Sequence, residues 1–174
     1  MSWKKKAIEH QLREQKLSFH NSDRWFLMAG IIRRFVEKCG PVVDAGGGQG
    51  RLGNYFSDYL NWDLLDAHDI EESIPKGDVV VFSDVLEHVV DLKKTLANVK
   101  AKYVLVSVPV ERDFPPSIDH VRRLDWRVIR ELTDWELEGL WFHVTRSSHW
   151  RIRKFFGISS HAEEEITLWQ TKGG

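Results

Sequence analysis

Asp44-Ala45-Gly46-Gly47-Gly48-Gln49-Gly50-Arg51-Leu52-Gly53 is the stretch on which the reading of this chain turns. It follows the apolar pair Val42-Val43 and runs into Leu52, Tyr55, Phe56 and Tyr59, which fall at helical spacing. Glycines between a strand and a helix let the chain turn tightly and bring backbone N–H groups against a ligand. Gly48-x-Gly50-x-x-Gly53 fits a dinucleotide fingerprint, with Asp66 lying 18 positions after Gly48 as the acid for a ribose. Asp44 argues for a different ligand. A carboxylate at the strand tip repels a pyrophosphate and attracts an ammonium or sulfonium group. A structural turn that holds no ligand is the third reading.

Upstream of the loop, Trp25, Met28, Ile31, Ile32, Phe35 and Val36 predict an amphipathic helix over about residues 23–38, ended by Gly40-Pro41. Downstream, strands are expected at Trp62–Leu65, at Asp78–Phe82 and at Tyr103–Val108, with a helix over about 84–100. A helix over 125–137 follows, carrying Trp126, Ile129 and Leu132 on one face, then strands near 139–145 and 165–170. The last two lie close enough to form an antiparallel pair. Strands alternating with helices predict an α/β fold with a mostly parallel sheet covered on both faces.

Composition narrows the function classes. The 174 residues suit one domain (1–174), read as N-terminal helices over 1–40 and two halves over 41–110 and 111–174. With 25 Lys+Arg against 26 Asp+Glu, no bulk field favours nucleic acid or a membrane. The longest apolar stretches are far shorter than the roughly 20 residues a membrane span needs. The single Cys39 allows no internal disulfide and no cysteine-rich zinc site, which favours a reducing, cytoplasmic setting. Residues 1–16 are basic, lack a following apolar run, and read as a solvated helix rather than a secretory signal.

Three motifs in order resemble the class I S-adenosylmethionine (SAM)-dependent methyltransferases. Asp44-x-Gly46-x-Gly48-x-Gly50 matches their first motif, and Asp78-Val-Val-Val-Phe-Ser-Asp-Val-Leu-Glu-His88-Val is similar to the segment around their fourth strand. In the type 11/type 12 branch that strand runs into a Leu-Glu-His-Val turn. Asp119-His120-Val-Arg122 is similar to the segment after their fifth strand. The resemblance covers roughly residues 40–145 and implies a Rossmann-like three-layer α/β/α sandwich. Carried over, Asp44, Gly46, Gly48 and Gly50 hold the aminocarboxypropyl part of SAM, and Asp66 accepts from the ribose hydroxyls, with Asp63 and Asp69 as neighbouring substitutes. Ser83 and Asp84 fall beside the methionine end. None of these motifs names a methyl acceptor.

One departure is plain. Only residues 67–77 separate Asp66 from Asp78, too few for the helix and third strand that the family places there. Eleven extended residues still span roughly 36 Å, enough for a bare loop to return over one neighbouring strand. The expectation is therefore a trimmed core without that edge strand, with adenine covered by Asp69, Ile70 and nearby loop atoms.

On the acceptor side, His88 and His120 are the candidate catalytic residues. Asp84, Glu87, His88 and His120 suit a divalent metal or general-base work on a hydroxyl. Small-RNA 3′-terminal 2′-O-methyltransferases resemble this stretch, with a carboxylate-x-x-Glu-His turn and a later histidine on a metal. The plainer reading makes Asp84-x-x-Glu87 a capping box for the following helix. The basic aromatic segment 146–156 suits an RNA or other anionic acceptor through phosphate contacts and stacking, or is a surface helix that simply packs. A small-molecule acceptor stands first. Outside the transferase reading, two alternatives are an NAD(P)-dependent oxidoreductase using the same loop and a non-catalytic SAM-binding scaffold.

Overall fold

Apolar residues on alternate sides of the central strands give this sheet two buried faces. The computed structural model describes residues 22–63, 68–109, 120–144 and 163–172. In chain order these form α1 (Ser22–Phe35), β1 (Val42–Ala45), a 3₁₀ turn (Arg51–Tyr55), β2 (Tyr59–Trp62) and β3 (Val79–Ser83). A second 3₁₀ turn (Leu86–His88), α2 (Leu92–Ala97), β4 (Tyr103–Pro109), α3 (Trp126–Leu132), β5 (Glu136–Val144) and β6 (Glu163–Gln170) follow.

One face presents Val43, Ala45, Val80, Phe82, Val104, Val106 and Trp169 to Leu92, Leu96 and Ile129 of the helices α2 and α3. The other presents Val42, Val79, Val81, Leu105, Ile166 and Leu168 to Trp25, Met28, Ile31 and Ile32 of α1. This is the expected three-layer α/β/α sandwich. The near-continuous apolar runs in β1 and β3 are what a parallel strand covered on both faces requires.

The strand order is β2-β1-β3-β4-β6-β5. Strands β1 to β4 are parallel, and β6 runs antiparallel to both β4 and β5. Chain direction across the sheet reverses between β1 and β3, so their carboxyl ends open a crevice there. Among the described residues no strand lies between β2 and β3, and β2 is the edge of the sheet. The trimmed core is thus found.

Several local expectations are corrected. The second strand is Tyr59–Trp62, not Trp62–Leu65, because the connection after β1 closes in a single 3₁₀ turn instead of a full helix. Tyr59, which completes the helical spacing in sequence, starts the strand. The helix over 84–100 is broken: only Leu92–Ala97 is α-helical, begun by Asp91, whose side chain accepts from Lys94 N. The capping box at Asp84-x-x-Glu87 does not form. Asp84 has φ 51°, and its carboxylate meets Arg24 and Ser107 instead. The helix expected over 125–137 stops at Leu132, as β5 begins at Glu136. Its amino end receives the buried carboxylate of Glu165 at Trp126 N, along with the Asp125 cap, so Glu165 does not face the basic segment.

Candidate functional site

The glycine loop is shaped from the strand beside it. Gly48 has φ 56°, a left-handed conformation that a side chain disfavours, and a Cβ there would meet nothing within 4 Å. Its N–H donates to Asp63 Oδ2 at 2.8 Å and its carbonyl accepts from Asn61 Nδ2 at 2.9 Å. Both partners come from β2 or its tip, while Gly46 N–H donates to the Trp62 carbonyl at 2.8 Å. The loop edge is therefore fixed from below and open above. Gly47 lies directly over Asp44: a Cβ at that position would stand 2.5 Å from the carboxylate carbon.

Asp44 is fully buried at the end of β1. Its Oδ2 accepts from the Tyr59 hydroxyl at 2.8 Å, and its Oδ1 has no hydrogen-bond partner among the described residues. Burial pushes the Asp44 carboxyl up to about 7; the Tyr59 hydrogen bond opposes this, nearby Asp63 adds to it, and the Arg24 charge counters it. Burial and the Asp44 charge likewise hold the Tyr59 phenol well above its ordinary value. A buried carboxylate with an unanswered oxygen is a place where a cation gains much.

Across the crevice, β3 ends in Ser83 and Asp84. Ser83 is buried, and its Oγ has no hydrogen-bond partner among the described residues. Asp84 Oδ2 bonds the guanidinium of Arg24, Oδ1 accepts from Ser107 Oγ at 3.3 Å, and its N–H donates to the Ser107 carbonyl at 3.0 Å.

Farther out, Glu87, His88 and His120 each offer one ligand atom, and these three lie within 4.8 Å of one another. The two imidazole rings meet edge to face, 4.8 Å between centroids at 77°. His88 Nε2 is 3.9 Å from Glu87 Oε1, and Glu87 is buried. Val121 N–H donates to the Glu87 carbonyl at 2.9 Å, and Arg122 donates to the Val90 carbonyl at 2.6 Å. Those two bonds hold the segment carrying His120 against the turn carrying His88. Such a set suits either a divalent ion or proton transfer.

Thus Asp44, Gly46, Gly48, Ser83 and Asp84 gather around the crevice between β1 and β3, with Gly50 one turn further along the loop. His88 and His120 come together beside it. Asp66 and Asp119 lie outside the described residues, as do residues 1–16 and the segment 146–156. With β2 ending at Trp62, the acid at its tip is Asp63, buried and bonded to Gly48. Asp69 accepts from Glu71 N at 3.0 Å and starts a turn, and Ile70 is buried in the core, so Ile70 does not cover a ligand. Sequence reasoning missed Tyr59, Asn61 and Arg24. Arg24 left a signal: it precedes Met28 by four positions and Ile31 by seven, on the buried face of α1.

No family model matches the chain, and no curated protein matches it in sequence. Solved structures do match it. A Burkholderia thailandensis 1,6-didemethyltoxoflavin-N1-methyltransferase holding S-adenosylhomocysteine superposes with a TM-score of 0.58 at 13% identity, covering 94% of this chain and 88% of that one. The fold is that of the class I SAM-dependent methyltransferases. The small RNA methyltransferase HEN1 matches with a TM-score of 0.58 at 13% identity over 88% of this chain, which spans 25% of that longer protein. A [4+2]-cyclase, SpnF, shares the fold too, with a TM-score of 0.57 at 11% identity, covering 86% and 81% of the two chains. Fold alone therefore leaves the reaction to be argued from the site.

Proposed function

We propose that this chain transfers a methyl group from SAM to an O, N or C nucleophile. The observation that carries the reading is Asp44: a wholly buried carboxylate with one unanswered oxygen, beneath a glycine loop whose open edge faces the crevice. A cationic ligand suits that arrangement and a pyrophosphate does not, which sets the oxidoreductase reading second. The fit to SAM is good on chemistry: a sulfonium and an ammonium for the carboxylates, and an open backbone edge for close approach. When bound, SAM supplies an activated methyl group for in-line attack.

The protein's own part is positioning and, for an acceptor that must lose a proton, a base. Asp63, with Gly48 held on its Oδ2, stands at the tip of the strand where the ribose acid is expected. We assign the acceptor side to His88 and His120, whose adjacent rings allow one imidazole to take a proton while the other orients the acceptor. The acceptor is a small molecule, with RNA or another anion as the competing class. The single Cys39, free and half-buried, suits a cytoplasmic setting, and no helix among the described residues is long and apolar enough to cross a membrane.

Calorimetric titration tests the donor. Micromolar S-adenosylhomocysteine binding with no NADH binding is expected; the reverse pattern overturns the reading, and acceptor turnover separates an enzyme from a scaffold. The three-ligand set Glu87, His88 and His120 favours a second reading in which a divalent ion activates an acceptor hydroxyl. Under that reading activity is lost to a chelator and restored by added Mn²⁺ or Zn²⁺.

A further inference from the structure

Three carboxylates, Asp44, Asp63 and Asp84, end neighbouring strands at the crevice, and α1 sets one guanidinium among them. Arg24 is 7% exposed, a degree of burial that arginine rarely reaches. Taking its charge out of water is costly, and an apolar residue at this place on α1 would pack on the same face without that cost. Its guanidinium bonds Asp84, lies 4.6 Å from the centroid of the Trp25 ring, and is near enough to Asp44 to favour that carboxylate's ionised form. Asp84 reaches the guanidinium from a left-handed backbone at φ 51°, a strained conformation for a residue with a side chain. The pair is not sealed, for the Asp84 side chain keeps 30% of its surface exposed. A pair serving the fold alone has no need of a strained backbone on one side and an open face on the other.

We propose that Arg24 and Asp84 together seat a zwitterionic amino-acid group, Arg24 taking the α-carboxylate and Asp84 the α-ammonium. This rests on the donor reading above and assigns the seat to the methionine end of SAM. A simple anion entering the crevice is repelled by three carboxylates, and a simple cation is repelled by Arg24. A zwitterion meets each fixed charge with its opposite. The guanidinium fork offers two parallel donors to a carboxylate, a geometry a lysine would not supply. No net charge is added to the site when such a group binds, so the desolvation already present in the buried pair serves the ligand as well.

The test compares S-adenosylhomocysteine with 5′-methylthioadenosine, which keeps the nucleoside and thioether but lacks the amino-acid end. By calorimetry the wild-type protein is expected to bind the former about 30-fold or more tightly, the range of a charge-assisted pair. Arg24→Met is expected to erase that preference by weakening S-adenosylhomocysteine alone. Decarboxylated S-adenosylhomocysteine, titrated into wild type, is expected to bind as weakly as methylthioadenosine, and needs no variant to fold. Equal binding of all three ligands by wild type overturns the proposal while leaving the donor reading intact. So does Arg24→Met losing both nucleosides alike, which marks a structural role, or keeping full affinity for both. Wild type binding none of the three overturns the donor reading and this proposal together.

Discussion

On the β1–β2 side of the crevice the main chain builds the site. Gly48 both donates to Asp63 and accepts from Asn61, and the strand beneath leaves its outer edge open. On the β3–β4 side, side chains build it: Glu87, His88 and His120 project from a 3₁₀ turn and a loop, tied by two bonds to backbone carbonyls. The first region is rigid because a parallel ladder sets its atoms. The second depends on a few residues whose chemistry can change without disturbing the sheet. That division suits a protein that holds one donor and is free to vary its acceptor.

The comparison breaks most easily at Gly48. Gly48→Val places a β-branched side chain at φ 56° and fills the open edge, so S-adenosylhomocysteine affinity is expected to fall more than about 100-fold. The fold pays only the backbone strain, about 1–3 kcal/mol, read as a modest drop in Tm. Unchanged affinity puts the donor elsewhere.

The acceptor side should respond in the opposite sense. His88→Ala and His120→Ala are expected to lower turnover by about 100-fold while leaving S-adenosylhomocysteine affinity within about twofold. If either variant loses donor binding with turnover per folded molecule intact, that histidine belongs to the donor side and the division fails.

How much of this was legible beforehand follows the same line. The sheet faces were readable because Val79, Val80 and Val81 sit in an apolar run too short for a helix and bounded by Gly77-Asp78. The glycine loop and both histidines were readable from their motifs. What misled was period. Leu52, Tyr55, Phe56 and Tyr59 satisfy helical spacing, yet Tyr59 turns its hydroxyl to Asp44 from a strand. A ring atom of Tyr59 lies 2.7 Å from where a Cβ on Gly53 would stand, so the turn closes tightly over the strand it precedes. That shift of the strand moved the tip acid from Asp66 to Asp63. Likewise Asp84-x-x-Glu87 carries a helix-start pattern, but the tertiary pull of Arg24 and Ser107 won the carboxylate.

Asp63 therefore gives a sharper probe than Asp66. Asp63→Ala removes the acceptor for Gly48 N–H and the proposed ribose contact, and is expected to weaken S-adenosylhomocysteine by about 1.5–3 kcal/mol. A loss seen with Asp66→Ala but not with Asp63→Ala would return the ribose to the residue outside the described segment.

The smallest expected effect is a slope with pH, and its sign follows from Asp44. Burial raises this carboxyl from an ordinary value of 3.8 to about 7. Below about pH 4 the folded and unfolded chains both hold the proton, and the contribution is fully present. Between there and about 7 the unfolded chain releases it while the folded chain keeps it, so stability falls as pH rises, by up to about 1.4 kcal/mol per unit. Asp44→Asn preserves an acceptor for Tyr59 and removes the titration. The difference between wild type and Asp44→Asn in urea midpoint is thus expected to drift by about 1 kcal/mol per unit between pH 5 and 7, then flatten. A cationic ligand favours the ionised carboxylate, so the same proton is released on binding and donor affinity rises over the same window. Parallel stability curves for the two proteins would mean that Asp44 is already ionised there, and that its unanswered oxygen faces a cation of the protein's own.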